Sequence, residues 1–150
     1  MVARAGPVAL GILVVDQATK VLVRTLLDRG ESADLILGVS LVNVRNDGIA
    51  FGILGGSRGL VLAITILAVA GLAYYLTTQP ARPGQWVALG LLAGGATGNL
   101  IDRLAAGEVT DFIDFPAWPA FNVADIAITL GIAALVVIEL SADWRSRRAT

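Results

Sequence analysis

Residues 8–20 read Val-Ala-Leu-Gly-Ile-Leu-Val-Val-Asp-Gln-Ala-Thr-Lys. A secretory leader would close its apolar run on a small-residue cleavage site. This run leads directly into Asp16 and reads as part of a retained membrane span. Residues four apart share a helical face, so Asp16 and Lys20 lie together on a segment that stays largely apolar across 7–27. A carboxylate set against lipid is costly, so such a face points to a polar interior.

Asp16 has company. Asp102, Asp111, Asp114 and Asp125 also sit inside or at the ends of apolar stretches, in a chain with no histidine and no cysteine. Without those residues there is no Ser-His-Asp triad, no Cys nucleophile and no ordinary zinc site. Carboxylate chemistry remains. The 150 residues are 56% hydrophobic and 15% charged, with a mean hydropathy of +0.77. Soluble domains carry roughly 25% charged residues, so the composition indicates a membrane protein. The net charge of −1 gives no bias toward nucleic acid.

Four stretches approach the roughly 20 residues needed to cross a bilayer. They are 7–27, 59–76, 86–104 and 121–140, within a single integral-membrane domain over 1–150. The expected fold class is an all-α membrane protein of four transmembrane helices, with a small extracytoplasmic β-element between the first and second. That element is placed at 35–44, rich in Leu, Ile and Val with polar residues interspersed, which reads as one or two β-strands followed by the turn signal Asn46-Asp47-Gly48. Four spans put both termini and the 80–84 loop on one side, together with Arg4, Arg82, Arg145, Arg147 and Arg148. The positive-inside rule makes that side cytoplasmic. No internal repeat is visible, which counts against repeat-built transporters.

Asp111 and Asp125 fall at the outer ends of the third and fourth spans. Two carboxylates sharing a site do not both ionise easily, so one holds a proton while the other activates water. Such a pair cleaves amide bonds without His, Cys or metal. Each acid also admits a plainer reading. Asn122 can cap the fourth helix with Asp125 at its third position, and Asp111 can be a solvated loop acid. Asp102 and Arg103 read as a self-neutralising pair, Asp16 and Lys20 as an internal brace, and Asp114 as a surface bystander. The cluster Gly94-Gly95-Ala96-Thr97-Gly98 lacks the Gly-Lys-Ser/Thr of a phosphate loop and suits close helix packing or the approach of a peptide.

Five motifs occur in order: Asp16-Gln17-Ala18-Thr19-Lys20, Asn46-Asp47-Gly48-Ile49-Ala50-Phe51-Gly52, Gly94 through Arg103, Val109-Thr110-Asp111-Phe112, and Phe121-Asn122-Val123-Ala124-Asp125. Together they resemble the bacterial lipoprotein signal peptidase (signal peptidase II) family across nearly the whole chain. The resemblance implies an intramembrane aspartic endopeptidase of the inner membrane, which removes the signal peptide from diacylglyceryl-modified prolipoproteins just before the lipidated cysteine. It implies Asp111 and Asp125 as the catalytic pair, and Asn46, Gly95, Asn99, Arg103, Val109, Asn122 and Ala124 as substrate-groove positions. Asp16 and Lys20 match positions that support the site, and Asp102 is assigned with them. Ile49 and Thr110 depart slightly from the usual pattern. The expected partners are prolipoproteins and membrane lipid, with no nucleic acid, no cofactor and no metal, for a chain working as a monomer. The active site is expected near the extracytoplasmic face.

Two other classes compete. An ion- or proton-coupled transporter would use the acids as a relay near mid-bilayer. A serine–lysine peptidase would pair Lys20, the only lysine, with Ser32, Ser40 or Ser57, all of which lie outside the spans.

Overall fold

The computed structural model describes residues 2–47, 58–78 and 82–148. Four helices form: α1 (Val2–Leu26), α2 (Arg58–Thr78), α3 (Gln85–Ala106) and α4 (Val123–Arg148). α3 ends at Gly107, whose φ of 75° lets its N–H turn back to the Arg103 carbonyl. That left-handed stop suits glycine and feeds the chain directly into a strand.

α3 is the central helix, with α1 on one side and α4 on the other. Its glycines allow this. A methyl group on Gly94 would come 2.6 Å from the Ala9 carbonyl oxygen, and one on Gly95 would come 2.5 Å from that of Ala124. Gly90 faces Val8 and Gly98 faces Asp16, so α1 and α3 run parallel. Gly131 faces Ala88, so α4 runs antiparallel to α3. Backbones this close gain dispersion contact that larger side chains would prevent.

The β-structure differs from the sequence expectation in extent. The sheet has four antiparallel strands in the order β1 (Ser32–Asp34), β2 (Ser40–Asn46), β3 (Val109–Phe115) and β4 (Trp118–Phe121). Among the described residues, only β1 and β2 lie between the first two helices. β3 and β4 come from the connection between α3 and α4, so the chain is not all-α. β2 and β3 join the two connections, with Val44 opposite Asp111, Arg45 opposite Thr110 and Asn46 opposite Val109. Residues 35–39, placed within the expected β-element of one or two strands, form the bend between β1 and β2. The helix over the span expected at 121–140 starts at Val123, because Trp118–Phe121 is strand. Gly48 of the expected turn, and the motif residues 48–52 with Ile49, lie outside the described residues, as do 79–81 of the proline loop.

Polarity runs inside out. Asp16, Lys20, Gln85, Asn99, Asp102 and Asn122 are buried, while Leu10, Val14, Leu130, Val136, Val137 and Leu140 are exposed. A water-soluble fold buries its leucines and exposes its charges, so this surface fits an apolar solvent. Among the described residues, Ala3–Leu26 and Val123–Trp144 are long and apolar enough to cross a membrane, and α2 carries a shorter apolar stretch, Leu62–Leu72.

Candidate active site

The helix register brings Asp16, Lys20, Asn99 and Asp102 to one level near the sheet. The Lys20 ammonium has three hydrogens and three buried acceptors: Asp16 Oδ2 at 2.8 Å, Asn99 Oδ1 at 2.9 Å and Asp102 Oδ2 at 3.1 Å. Every donor is satisfied, which is the condition for keeping a cation there. Asp16 does more than pair with it. Its Oδ1 accepts the Ala124 N–H at 2.9 Å, placing a carboxylate at the N-terminus of α4. A helix start offers unpaired N–H groups and a positive dipole end, so this anion pins α4 to α1. Gly98 leaves room for it, since a methyl there would come 2.5 Å from Asp16 Oδ2.

Asp102 does not pair with Arg103, as the sequence suggested. Its cation is Lys20, one helix away, and its Oδ2 also accepts the Thr110 N–H at 3.2 Å, tying α3 to β3. Consecutive helical residues point about 100° apart, so Asp102 faces α1 while Arg103 faces elsewhere.

Asp125 and Asn122 form a reciprocal cap. The Asp125 N–H donates to Asn122 Oδ1 at 3.0 Å, and the Asn122 N–H donates to Asp125 Oδ2 at 3.2 Å. This satisfies two orphan donors at the head of α4, in the manner of a capping box. The capping role is therefore real, and it leaves Asp125 Oδ1 to accept from Asn99 Nδ2 at 2.8 Å. Asn122 uses its side-chain amide in the other direction, donating to Asp111 Oδ1 at 2.7 Å. Asp111 Oδ2 accepts from Asn46 Nδ2 at 2.8 Å. One asparagine thus touches both acids.

Asp111 is no solvated loop acid; it is only 2% exposed, in β3. Burial pushes its carboxyl up to about 6, the negative field of Asp125 adds to the rise, and the hydrogen bonds from Asn46 and Asn122 oppose it. Asp114, three residues on, is half-buried and opposes Ser40 across the sheet.

A cavity of about 510 Å³ lies between α2, α3 and α4 and ends at Asn99, Arg103 and Asp125. A second, of about 270 Å³, runs from Trp118 and Phe121 along α4 and also reaches Asp125. Both are walled mainly by apolar side chains. Arg103 Nε is buried and has no hydrogen-bond partner among the described residues. A buried donor left unpaired beside a cavity marks a place for an incoming acceptor.

A family model described as signal peptidase (SPase) II matches residues 8–141. The chain belongs to the signal peptidase II family.

Individual relatives agree with this placement. The chain is 47% identical over 134 residues to the lipoprotein signal peptidase of Symbiobacterium thermophilum, spanning 85% of this chain and 88% of the relative. It is 45% identical over 122 residues to the lipoprotein signal peptidase of Pelotomaculum thermopropionicum, spanning 80% of each. Its fold is similar to that of a bacterial membrane enzyme determined by the in meso method at 2.3 Å resolution, with a TM-score of 0.85, 33% identity, and coverage of 94% of this chain and 90% of that one. Signal peptidase II is an aspartic peptidase family.

The polar residues of the signal peptidase II motifs converge, among the described residues, on one end of the helices. The buried network holds Asp16, Lys20, Asn99, Asp102, Asn122 and Asp111, with Asn46 and Asp125 bonded into it. Ala124 contributes its N–H, while Gly95 and Val109 are buried packing positions. Lys20 is consumed by three acceptors and meets neither Ser32 nor Ser40, which lie in the sheet; Ser57 is outside the described residues. Sequence reading missed Gln17, which donates to Asp16, to the Gly98 carbonyl and to Asp102. It also missed a polar cluster at the opposite end, where Gln85 Nε2 and Glu139 Oε1 bond the Tyr75 hydroxyl at 2.7 and 2.8 Å. Gln17 stands beside Asp16 in its motif, which was the available signal.

Proposed function

We propose that this chain is an aspartic endopeptidase that removes the signal peptide from diacylglyceryl-modified prolipoproteins, cutting just before the lipidated cysteine, with Asp111 and Asp125 as its catalytic pair. One observation carries the reading: Asn122 bonds both carboxylates at once, and one of them, Asp125, lines two apolar cavities. A substrate with an apolar leader and two acyl chains has two apolar parts to place on either side of one scissile bond.

In this mechanism Asp125, whose carboxylate accepts the Asn122 N–H at the head of α4 and the Asn99 amide from α3, takes a proton from water. The water oxygen attacks the scissile carbonyl carbon, and Asp111 passes its proton to the departing amine. A carboxyl raised to about 6 keeps its proton on about a tenth of molecules at pH 7, far more than an ordinary aspartate does, which suits Asp111 to the acid role. As a coupled pair the two share one proton, and pH data report the pair. Arg103 Nε and Asn99 line the larger cavity and offer donors for the substrate backbone, while Asn46 and Asn122 orient Asp111. Asp16, Lys20 and Asp102 act as supports.

All four helices cross the bacterial inner membrane as a single domain in this account. Both termini and the arginine-rich end are cytoplasmic, and the sheet lies at the extracytoplasmic face with the acids just beneath it. The chain works as a monomer and needs no cofactor.

The test is purified protein incubated with a prolipoprotein bearing the diacylglyceryl group or lacking it, with the products read by mass spectrometry. The reading expects a mature chain beginning at the lipidated cysteine, and only from the modified substrate. Equal cleavage of both, or a cut elsewhere, would refute this substrate assignment.

A further inference from the structure

Thr110 and Asp111 are neighbours in β3, so their side chains leave opposite faces of the sheet. On the Thr110 face two guanidiniums converge on one hydroxyl oxygen. Arg45 NH1 lies 2.6 Å from Thr110 Oγ1 and Arg24 NH1 lies 3.2 Å from it. Two like charges on a shared acceptor repel, and a threonine hydroxyl carries no charge to offset them.

The surrounding acids do not balance them. Asp102 Oδ1 is 4.0 Å from Arg24, yet Asp102 is already held by Lys20 at 3.1 Å, and Lys20 also takes Asp16. Two carboxylates therefore face three cations. Arg45 pairs with no carboxylate among the described residues, the exposed Asp47 two residues on included, and residues 48–57 contain no acid. Arg29, by contrast, has Glu108 at 2.8 Å. The Arg24 side chain keeps 28% of its surface exposed, and Arg45 is half-buried. Val21, one turn before Arg24 on the same face of α1, is half exposed and apolar.

We propose that Arg24 and Arg45 form a binding site for a phosphate group, on the face of the sheet turned away from Asp111. Planar guanidiniums offer paired N–H groups matched to phosphate oxygens, and Thr110 holds the two forks together. Apolar surface one turn below the cations suits the acyl region beneath a lipid phosphate. The same chemistry is offered by a free phosphate ion in the adjoining water.

Native mass spectrometry in a neutral detergent separates the two sources, with phosphatidylglycerol as one titrant and inorganic phosphate as the other. The site predicts one retained adduct, weakened roughly tenfold by Arg45→Gln and again by Arg24→Gln, the loss expected when a charge-assisted bond is removed. Arg29→Gln should leave it unchanged. Loss in the lipid titration assigns a headgroup, and loss in the phosphate titration assigns the free ion; either supports the site. Equal retention by wild type and both variants in both titrations overturns it. The readout involves no cleavage, so its outcome is independent of the peptidase reading.

Discussion

The Lys20 ammonium lies 2.9 Å from Asn99 Oδ1, and that contact, together with the Asn122 amide donating to the same oxygen at 3.2 Å, decides which way the Asn99 amide faces. An ammonium can only donate, so the amide oxygen turns to Lys20 and the NH₂ is left to donate to Asp125 at 2.8 Å. A buried ion cluster on α1 and α3 thereby sets the donor that reaches an acid on α4. Support and candidate site form one connected network.

Lys20→Met should break that network at its centre. Asp16 and Asp102 would be left buried without their cation, at a cost of about 3–5 kcal/mol. Thermal unfolding in detergent should show a clear drop, and cleavage should fall because Asn99 loses its orientation. A variant with wild-type stability would remove Lys20 from this role.

Glycines on α3 should behave differently from glycines on α2. Gly95→Ala and Gly98→Ala push a methyl onto the Ala124 carbonyl and the Asp16 carboxylate. Overpacking of this kind costs about 1–3 kcal/mol. Gly71 on α2 has nothing within 4 Å of an added methyl, so Gly71→Ala should cost nothing. Unfolding midpoints of the three variants check the contrast.

Asn46→Ala should move the pH profile of cleavage. The Asn46 hydrogen bond favours the ionised Asp111, and without it the carboxyl holds its proton to higher pH. With Asp111 as the acid, activity declines as pH rises through about 6, and the variant should decline at a higher pH than wild type. An unmoved or acid-shifted limb would contradict that assignment.

Asp111 should also cost stability near neutrality. Its carboxyl loses its proton near 3.8 in an unfolded chain and near about 6 in the fold. Between those values the folded chain holds a proton the unfolded chain has lost, so stability falls as pH rises through the window and stays lower above it. Relative to wild type, Asp111→Asn should therefore gain more in Tm at pH 7 than at pH 4. Parallel melting curves across that range check the sign.

Much of this arrangement was legible in the residues. Asp16 and Lys20 sit four apart in an apolar run, and Asn122 with Asp125 has the spacing of a helix cap; both readings hold. The strand at 109–115 was not legible. Asp111 is buried on one face and Thr110 on the other, so neither face carries the apolar alternation that marks a half-buried strand. The Asp102 pairing was misread for a related reason. Arg103 is adjacent in sequence, whereas Lys20 becomes a neighbour only once α1 packs on α3, and no local pattern records that contact.

The most direct measurement compares cleavage of a diacylglyceryl-modified prolipoprotein by wild type, Asp111→Asn, Asp125→Asn and Asp114→Asn, each first shown to be folded by its melting curve. The catalytic pair requires that Asp111→Asn and Asp125→Asn lose cleavage while remaining folded, and that Asp114→Asn retains it. Robust cleavage by either of the first two, or its loss with Asp114→Asn, would contradict the assignment.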